Sequence, residues 1–277
     1  MPSGPLSDLD LMRRGWRWGR PRPASWPAAA PGAPDRASNL GWARAEPVRS
    51  LRFLIQRGLL LPFTRLMADP EVVGSEWVRD LEQPAILASN HVSHADTHLL
   101  LYALSQRTRE RTVVAAAADY WYRRPWLGRL VSLGLNTFPF SRTGGPSAVL
   151  HSSSDLLRSG WNLLVFPEGT RSPDGSLQEF RPGVGHLATE TKAPVIPMHV
   201  SGSHRIMPKG QRLPLPAPAR ITIGRPLKPA PAEGSRAFAA RVEAAVTELA
   251  QGSTDSAVRG TWIERWRATA PRPRPPR

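Results

Sequence analysis

Ala85-Ile86-Leu87-Ala88-Ser89-Asn90-His91-Val92-Ser93-His94-Ala95-Asp96-Thr97 carries the reading of this chain. Residues 85–89 form an apolar run of strand length, and residues 96–104 follow helical spacing. Between them lies a turn holding two histidines, one hydroxyl side chain and an amide. A strand that feeds a helix through such a turn is the repeating unit of α/β folds, and the turn is where those folds place active-site residues. Working outward, strand-like runs recur at 112–115, 162–166, 195–200 and 220–224. Helical segments fall between several of them. One covers 145–158, with Val149, Leu150, Leu156 and Leu157, and a last one carries Phe238, Val242, Ala245, Val246 and Leu249 at helical spacing. Strands alternating with helices predict one α/β layered domain.

The turn after residue 89 offers a specific chemistry. His91 and Asp96 are five residues apart, a spacing that brings the carboxylate to one imidazole nitrogen across a turn entering a helix. The other nitrogen is then an acceptor. This is the base-and-orienter pair of acyl-transfer enzymes, in which the acid fixes the tautomer and stabilises the imidazolium. The competing reading is that Asp96 only caps the helix that starts at Thr97. A metal reading competes too, because His91, His94 and His98 would share a face of a continuous helix. The loop-to-helix transition spoils that register, and no His-Glu-x-x-His signature is present.

Two further blocks stand out. Leu164-Val165-Phe166-Pro167-Glu168-Gly169-Thr170-Arg171-Ser172 ends an apolar strand with an acid, a glycine, a hydroxyl and a guanidinium close together. Glycine lets the backbone approach a ligand, and arginine offers a planar fork that matches phosphate. The bland alternative is a tight turn carrying a surface ion pair. Asn136-Thr137-Phe138-Pro139-Phe140-Ser141-Arg142 ends an apolar stretch on one arginine, a second candidate phosphate clamp.

Composition bounds the rest. The chain has 277 residues, 40% of them hydrophobic, which suffices for one sizeable core if polar residues concentrate in tails. No run reaches 18 uninterrupted apolar residues, which argues against a plain transmembrane helix, and the start lacks a signal-peptide pattern. The absence of cysteine excludes a disulfide scaffold, a thiolate metal site and a cysteine nucleophile. Lys and Arg total 37 against 22 Asp and Glu, a net charge of +15 that favours nucleic acid, an anionic membrane or a phosphorylated substrate. Residues 1–50 read as a Pro-, Arg- and Trp-rich disordered tail, 51–255 as the folded domain, and 256–277 as a second basic tail. Trp16, Trp18, Trp26 and Trp42, interleaved with arginine, suit a lipid headgroup layer. Residues 51–67 are apolar with scattered arginines and broken near Pro62. They read as one or two short surface helices, lying on the core or on a bilayer.

Taken together, the blocks resemble the glycerolipid acyltransferase family, the group of 1-acylglycerol-3-phosphate acyltransferases. The family's Asn-His-x4-Asp block matches Asn90, His91 and Asp96. Its apolar run ending in Arg matches 138–142. Its Phe-Pro-Glu-Gly-Thr-Arg-Ser block matches 166–172 without exception, and its Val-Ile-Pro stretch matches Val195, Ile196 and Pro197. The Phe180-Arg181-Pro182-Gly183 segment looks like the family's glycine region after the third block. Order and spacing agree across about residues 70–225.

The resemblance implies a single α/β domain with a mixed central sheet flanked by helices, at the cytoplasmic face of a membrane, peripheral or monotopic. It implies transfer of a fatty acyl group from acyl-CoA or acyl-carrier protein to the hydroxyl of 1-acylglycerol-3-phosphate, giving phosphatidic acid in phospholipid synthesis. On it, His91 is the base and Asp96 its orienter. Arg142, Glu168, Gly169, Thr170 and Arg171 hold the acceptor, and Val195, Ile196 and Pro197 wall the acyl pocket. Neither a metal nor a bound cofactor is expected. The expected partners are the lysophospholipid, the acyl donor and an anionic membrane surface. The nearest rival is the same chemistry on another lysolipid, glycerol 3-phosphate, or an amino- or glycan-lipid. A non-catalytic nucleic-acid or membrane binder built on the Arg/Trp tails leaves the four ordered blocks unexplained, so nucleic acid is not an expected partner.

Overall fold

The computed structural model describes residues 40–122, 124–140, 146–172, 175–207 and 213–252. Arg142, residues 1–39 and residues 253–277 lie outside these, and with them most of the two tails. Among the described residues the first helix starts at Gly41, inside the stretch whose composition reads as tail. A short helix α1 (Gly41–Arg44) precedes α2 (Glu46–Ile55), a π-helical stretch over Gln56–Leu60, and α3 (Leu61–Ala68). Composition hid this because Pro47 sits in the first turn of α2, the one helical position that loses nothing with its N–H.

The strands are β1 (Glu71–Val73), β2 (Ile86–Ser89), β3 (Thr112–Ala117), β4 (Thr137–Phe140), β5 (Asn162–Val165), β6 (Val195–Ser201) and β7 (Arg220–Ile223). They form one sheet in the order β1-β7-β6-β2-β5-β3-β4. Every pair is parallel except β6 with β7, so the sheet is mixed, as expected. The five strands legible in the sequence are all present. The two it did not show, β1 and β4, are the edges. Three-residue β1 is too short to carry a period, and β4 holds Pro139, which only an edge or bulge position tolerates readily. Pro197 lies inside the sheet on β6. Its carbonyl accepts from the N–H of Gly224, one residue past the end of β7, so the donor it lacks faces the point where that pairing stops.

The helices that follow are α4 (Ala95–Ala103), α5 (Gln106–Glu110), α6 (Ala118–Trp121), α7 (Pro125–Leu135), α8 (Pro146–Arg158), α9 (Gly183–Thr191), α10 (Ser203–Ile206) and α11 (Ser235–Gln251). Both faces of the sheet are covered, which is why the central strands read as continuous apolar runs rather than alternating ones. Leu87, Leu164, Ile196 and Met198 face a core shared with Leu99 and Leu100 of α4. Ile86, Ala88, Leu163 and Val195 face the other core, with Leu187 of α9 and Phe238, Val242 and Val246 of α11. Gly185 lets α9 lie on α11, since a Cβ there would come within 1.9 Å of the Ser235 carbonyl oxygen.

The segment from Glu46 to Ala68 is not broken at Pro62. Instead the ladder widens just before it, and the Leu61 N–H donates to the Gln56 carbonyl five residues back. The wider turn meets the proline's missing donor and the crowding of its ring. It also keeps a four-residue repeat on one side, where a regular helix would drift about 40° per step. The buried positions are Arg52, Gln56, Thr64 and Ala68. The outward positions are Leu51, Leu54, Leu59, Phe63 and Leu66, from 43% to 67% exposed. The segment is thus inverted, with polar groups inside and an apolar stripe outside. Arg52 Nε donates to the Leu133 carbonyl, Arg52 Nη2 to the Ser132 and Ala43 carbonyls, and Gln56 Nε2 to the Gly134 carbonyl. The bonds to Leu133 and Gly134 satisfy orphan C-terminal carbonyls of α7, with the guanidinium at the negative end of its dipole.

Candidate active site

The carboxyl ends of β2 and β5 are adjacent, because Ala88 pairs with Val165. Everything that leaves those two ends therefore meets. From β2 comes the loop 90–94 and then α4; from β5 comes the turn 166–172. Asn90 secures the first loop to β6: its Nδ2 donates to the Val200 carbonyl at 3.0 Å and its Oδ1 accepts the Val200 N–H at 2.8 Å. Ser93 Oγ donates to the Met207 carbonyl.

His91 Nδ1 lies 2.9 Å from Asp96 Oδ2. The same oxygen accepts the N–H groups of Val92 and Ser93, each at 2.8 Å. Asp96 is fully buried. Its carboxylate closes the loop ahead of α4 and holds the imidazole, rather than capping the helix's own first turn. With Nδ1–H donated to the acid, Nε2 is the acceptor, and the ring is 19% exposed. The Phe166 ring stacks on the imidazole at 4.0 Å between centroids and 17° between planes. The Ser172 N–H donates to the His91 carbonyl, locking the third sequence block against the first.

Glu168 turns inward. Its Oε1 accepts the His91 backbone N–H at 3.0 Å. Burial pushes its carboxyl up to about 8; repulsion from Asp96 and Glu243 adds to that, and hydrogen bonds from the His91 and Gln178 backbone oppose it. The carboxyl is thus mainly protonated at neutral pH. In the unfolded chain it ionises near 4.5, so the folded state loses stability as pH rises from about 4.5 to about 8. Glu168→Gln keeps an oxygen for His91 and removes the ionisation. The variant is expected to melt with the wild type at pH 5 and above it at pH 8.5, with about 2–4 °C in Tm for each kcal/mol recovered. Parallel melting curves at both pH values would contradict the buried, neutral carboxyl.

His94 and His98 do not join His91 around a common point. The His94 Nε2 is 3.2 Å from the Tyr120 hydroxyl, and its ring packs on Tyr120 and edge-on to Trp121. Burial, with the charges of Arg171 and His91, brings His94 down to about 4, and burial also lowers His98. Among the described residues no group of three or more His, Asp or Glu side chains is placed to hold a metal.

Beside His94 opens an apolar cleft between α3, α4 and the segment after α10. Phe63, Met67, Leu99, Ile206 and Met207 line it. Val195, Ile196 and Pro197, expected as a pocket wall, are buried strand residues between β2 and β7, and none of them lines this cleft. The apolar text of that block is explained by burial on both faces of the sheet. The lining residues carried no signal of their own, because helix packing alone brings them to His94. Glu168, Gly169, Thr170 and Arg171 lie together on the turn after β5, whereas Arg142 falls outside the described residues. The structure adds Phe166, under the imidazole, and Arg181, against Gly169.

A helix-covered, largely parallel sheet with a His–Asp pair and an apolar cleft at its carboxyl edge defines a class: an α/β protein equipped for proton transfer beside a hydrophobic substrate. Residues 69–201 match the family model described as Acyltransferase. A 1-acyl-sn-glycerol-3-phosphate acyltransferase of Cocos nucifera is 32% identical over 148 residues, covering 52% of this chain and 46% of that protein. The alpha form from Bos taurus is 29% identical over 194 residues, covering 66% and 64%. The crystal structure of the 1-acyl-sn-glycerophosphate acyltransferase PlsC from Thermotoga maritima superposes with a TM-score of 0.59 at 25% identity, over 79% of this chain and 87% of that one. The chain spans about half the length of the first curated relatives it matches.

Proposed function

We propose that the protein transfers a fatty acyl group from a thioester, acyl-CoA or acyl-carrier protein, to the free hydroxyl of 1-acylglycerol-3-phosphate, giving phosphatidic acid. The observation that carries this reading is the His91–Asp96 contact of 2.9 Å, which engages Nδ1 and leaves Nε2 as the ring's acceptor. Nε2 takes the hydroxyl proton as the oxygen attacks the thioester carbonyl. The tetrahedral intermediate collapses, the C–S bond breaks, and the imidazolium returns the proton to the leaving thiolate. Asp96 balances the imidazolium charge in between. No resident metal or cofactor takes part, and the thioester is a substrate. Arg171, with the Gly169–Thr170 backbone, binds the acceptor phosphate. Arg142 is proposed for the same role on the sequence match alone. The cleft beside His94 takes an acyl chain.

The reading extends to location: the protein docks on the cytoplasmic face of an anionic membrane without spanning it. Among the described residues no helix is long and apolar enough to cross a membrane. The outward stripe from Leu51 to Leu66 supports docking, as do Trp126 and Leu130 on neighbouring α7, 57% and 56% exposed. A continuous exposed apolar face with basic residues along it, here Arg57 and Arg65, is the signature of an interfacial helix.

The test is acyl transfer from labelled oleoyl-CoA, and then from the carrier-protein thioester, to 1-oleoylglycerol 3-phosphate. Labelled phosphatidic acid is the expected product. Arg171→Ala is expected to raise the acceptor KM about 10- to 100-fold with the donor KM unchanged. Failure of both donors on this acceptor would overturn the reading.

A further inference from the structure

Gly169 has φ +77, a backbone conformation that favours glycine. The space beside its Cα is also taken by the end of a side chain, which a Cβ would displace. A Cβ there would lie 2.7 Å from Nε and 2.8 Å from Cζ of Arg181. The neighbour that fills the site is therefore a guanidinium, laid flat against the turn that carries Glu168, Thr170 and Arg171.

The segment bearing Arg181 is fixed on both sides. Phe180, 5% exposed, is buried among Val184, Leu187 and Phe238, and its N–H donates to Glu243 Oε2 at 2.7 Å. The Arg181 N–H donates to the Pro167 carbonyl at 3.0 Å, inside the turn itself. Helix α9 starts two residues later. The backbone of residue 181 is thus tied to the turn while the residue stays exposed, as a ligand-binding group requires. The other end of the same turn underlies the base through the Phe166–His91 stack. Two guanidiniums, Arg171 and Arg181, border one turn, and the turn's own carboxyl group is engaged inward with the His91 N–H. A phosphate monoester carries about two negative charges near neutral pH and three acceptor oxygens, which two planar forks satisfy better than one.

We infer that Arg181 is a second guanidinium of the acceptor-phosphate site, and that residue 169 is glycine because this guanidinium lies on it. The inference rests on the acceptor reading proposed above and adds to it a residue from outside the third sequence block.

The test compares 1-oleoylglycerol 3-phosphate with phosphate-free 1-oleoylglycerol as acceptors, for wild type, Arg181→Ala, Arg181→Lys, Gly169→Ala, Arg171→Ala and the Gly169→Ala/Arg181→Ala double variant. Arg181→Ala is expected to raise the KM for the phosphate-bearing acceptor about 10- to 100-fold, with kcat, donor KM and Tm little changed. Arg181→Lys recovers part of the loss by restoring charge without the fork. Gly169→Ala raises the acceptor KM in the wild type more than in Arg181→Ala, because the displaced group is already gone. An unchanged acceptor KM in Arg181→Ala beside a raised one in Arg171→Ala overturns the inference and leaves the acceptor reading standing. A fall in kcat or Tm at constant KM makes Arg181 a packing residue and also overturns it. Equal use of both acceptors by the wild type overturns the phosphate reading itself.

Discussion

His91→Ala leaves a folded protein whose turnover falls by about 10²–10⁴, the range for loss of a positioned general base. The fold tolerates the change because the imidazole sits at the rim of the site, 19% exposed, and its backbone contacts to Glu168 and Ser172 do not need the ring. The acceptor KM stays near its wild-type value, since the base acts on the hydroxyl proton and not on the phosphate. Asp96→Asn probes the other half of the pair. An amide can still accept from the Val92 and Ser93 N–H groups, so the loop keeps its closure. It no longer fixes the imidazole tautomer or balances its charge, and where such a pair acts in proton transfer this change costs about 10⁴ in kcat. Steady-state kinetics with circular dichroism on both variants decides the matter. A folded His91→Ala protein with unchanged turnover would remove the base from the mechanism.

Replacing Leu54, Leu59 and Phe63 together by serine abolishes flotation with anionic vesicles and leaves melting unchanged or improved. These side chains are 64%, 67% and 46% exposed, so the folded protein gains little from them in water. On a bilayer each would bury apolar surface worth about 1–2 kcal/mol, together at least about a 100-fold change in partition. The Arg52 and Gln56 contacts that hold the segment to α7 are untouched. Vesicle binding that survives the triple variant would move docking away from this face. A variant that unfolds would show instead that the stripe packs on protein.

The α/β class and five of seven strands were legible in the sequence because central strands with both faces covered leave long apolar runs between helical stretches. The site's chemistry was legible because its residues are local. His91 and Asp96 sit five apart in one turn, and Glu168 to Arg171 are consecutive. Once β2 and β5 are neighbours with carboxyl ends together, the two blocks must meet. Helix α7 and the start of α2 were passed over, each opening on a proline that reads as a breaker in sequence and serves as a first-turn residue in the fold.

What local text could not supply is which side of an element faces inward and which distant residue fills a gap. The apolar block at Val195–Pro197 reads equally as pocket wall or as sheet interior, and the position of β6 between β2 and β7 made it interior. Arg181 reaches Gly169 only because Phe180 is anchored in the core. The segment 46–68 shows the division most clearly. Its residues fix an amphipathic helix, but packing on α7 buries Arg52 and Gln56, whose donors meet that helix's free carbonyls. The leucines are thereby turned outward, because satisfying buried polar groups outweighs burying one more apolar stripe.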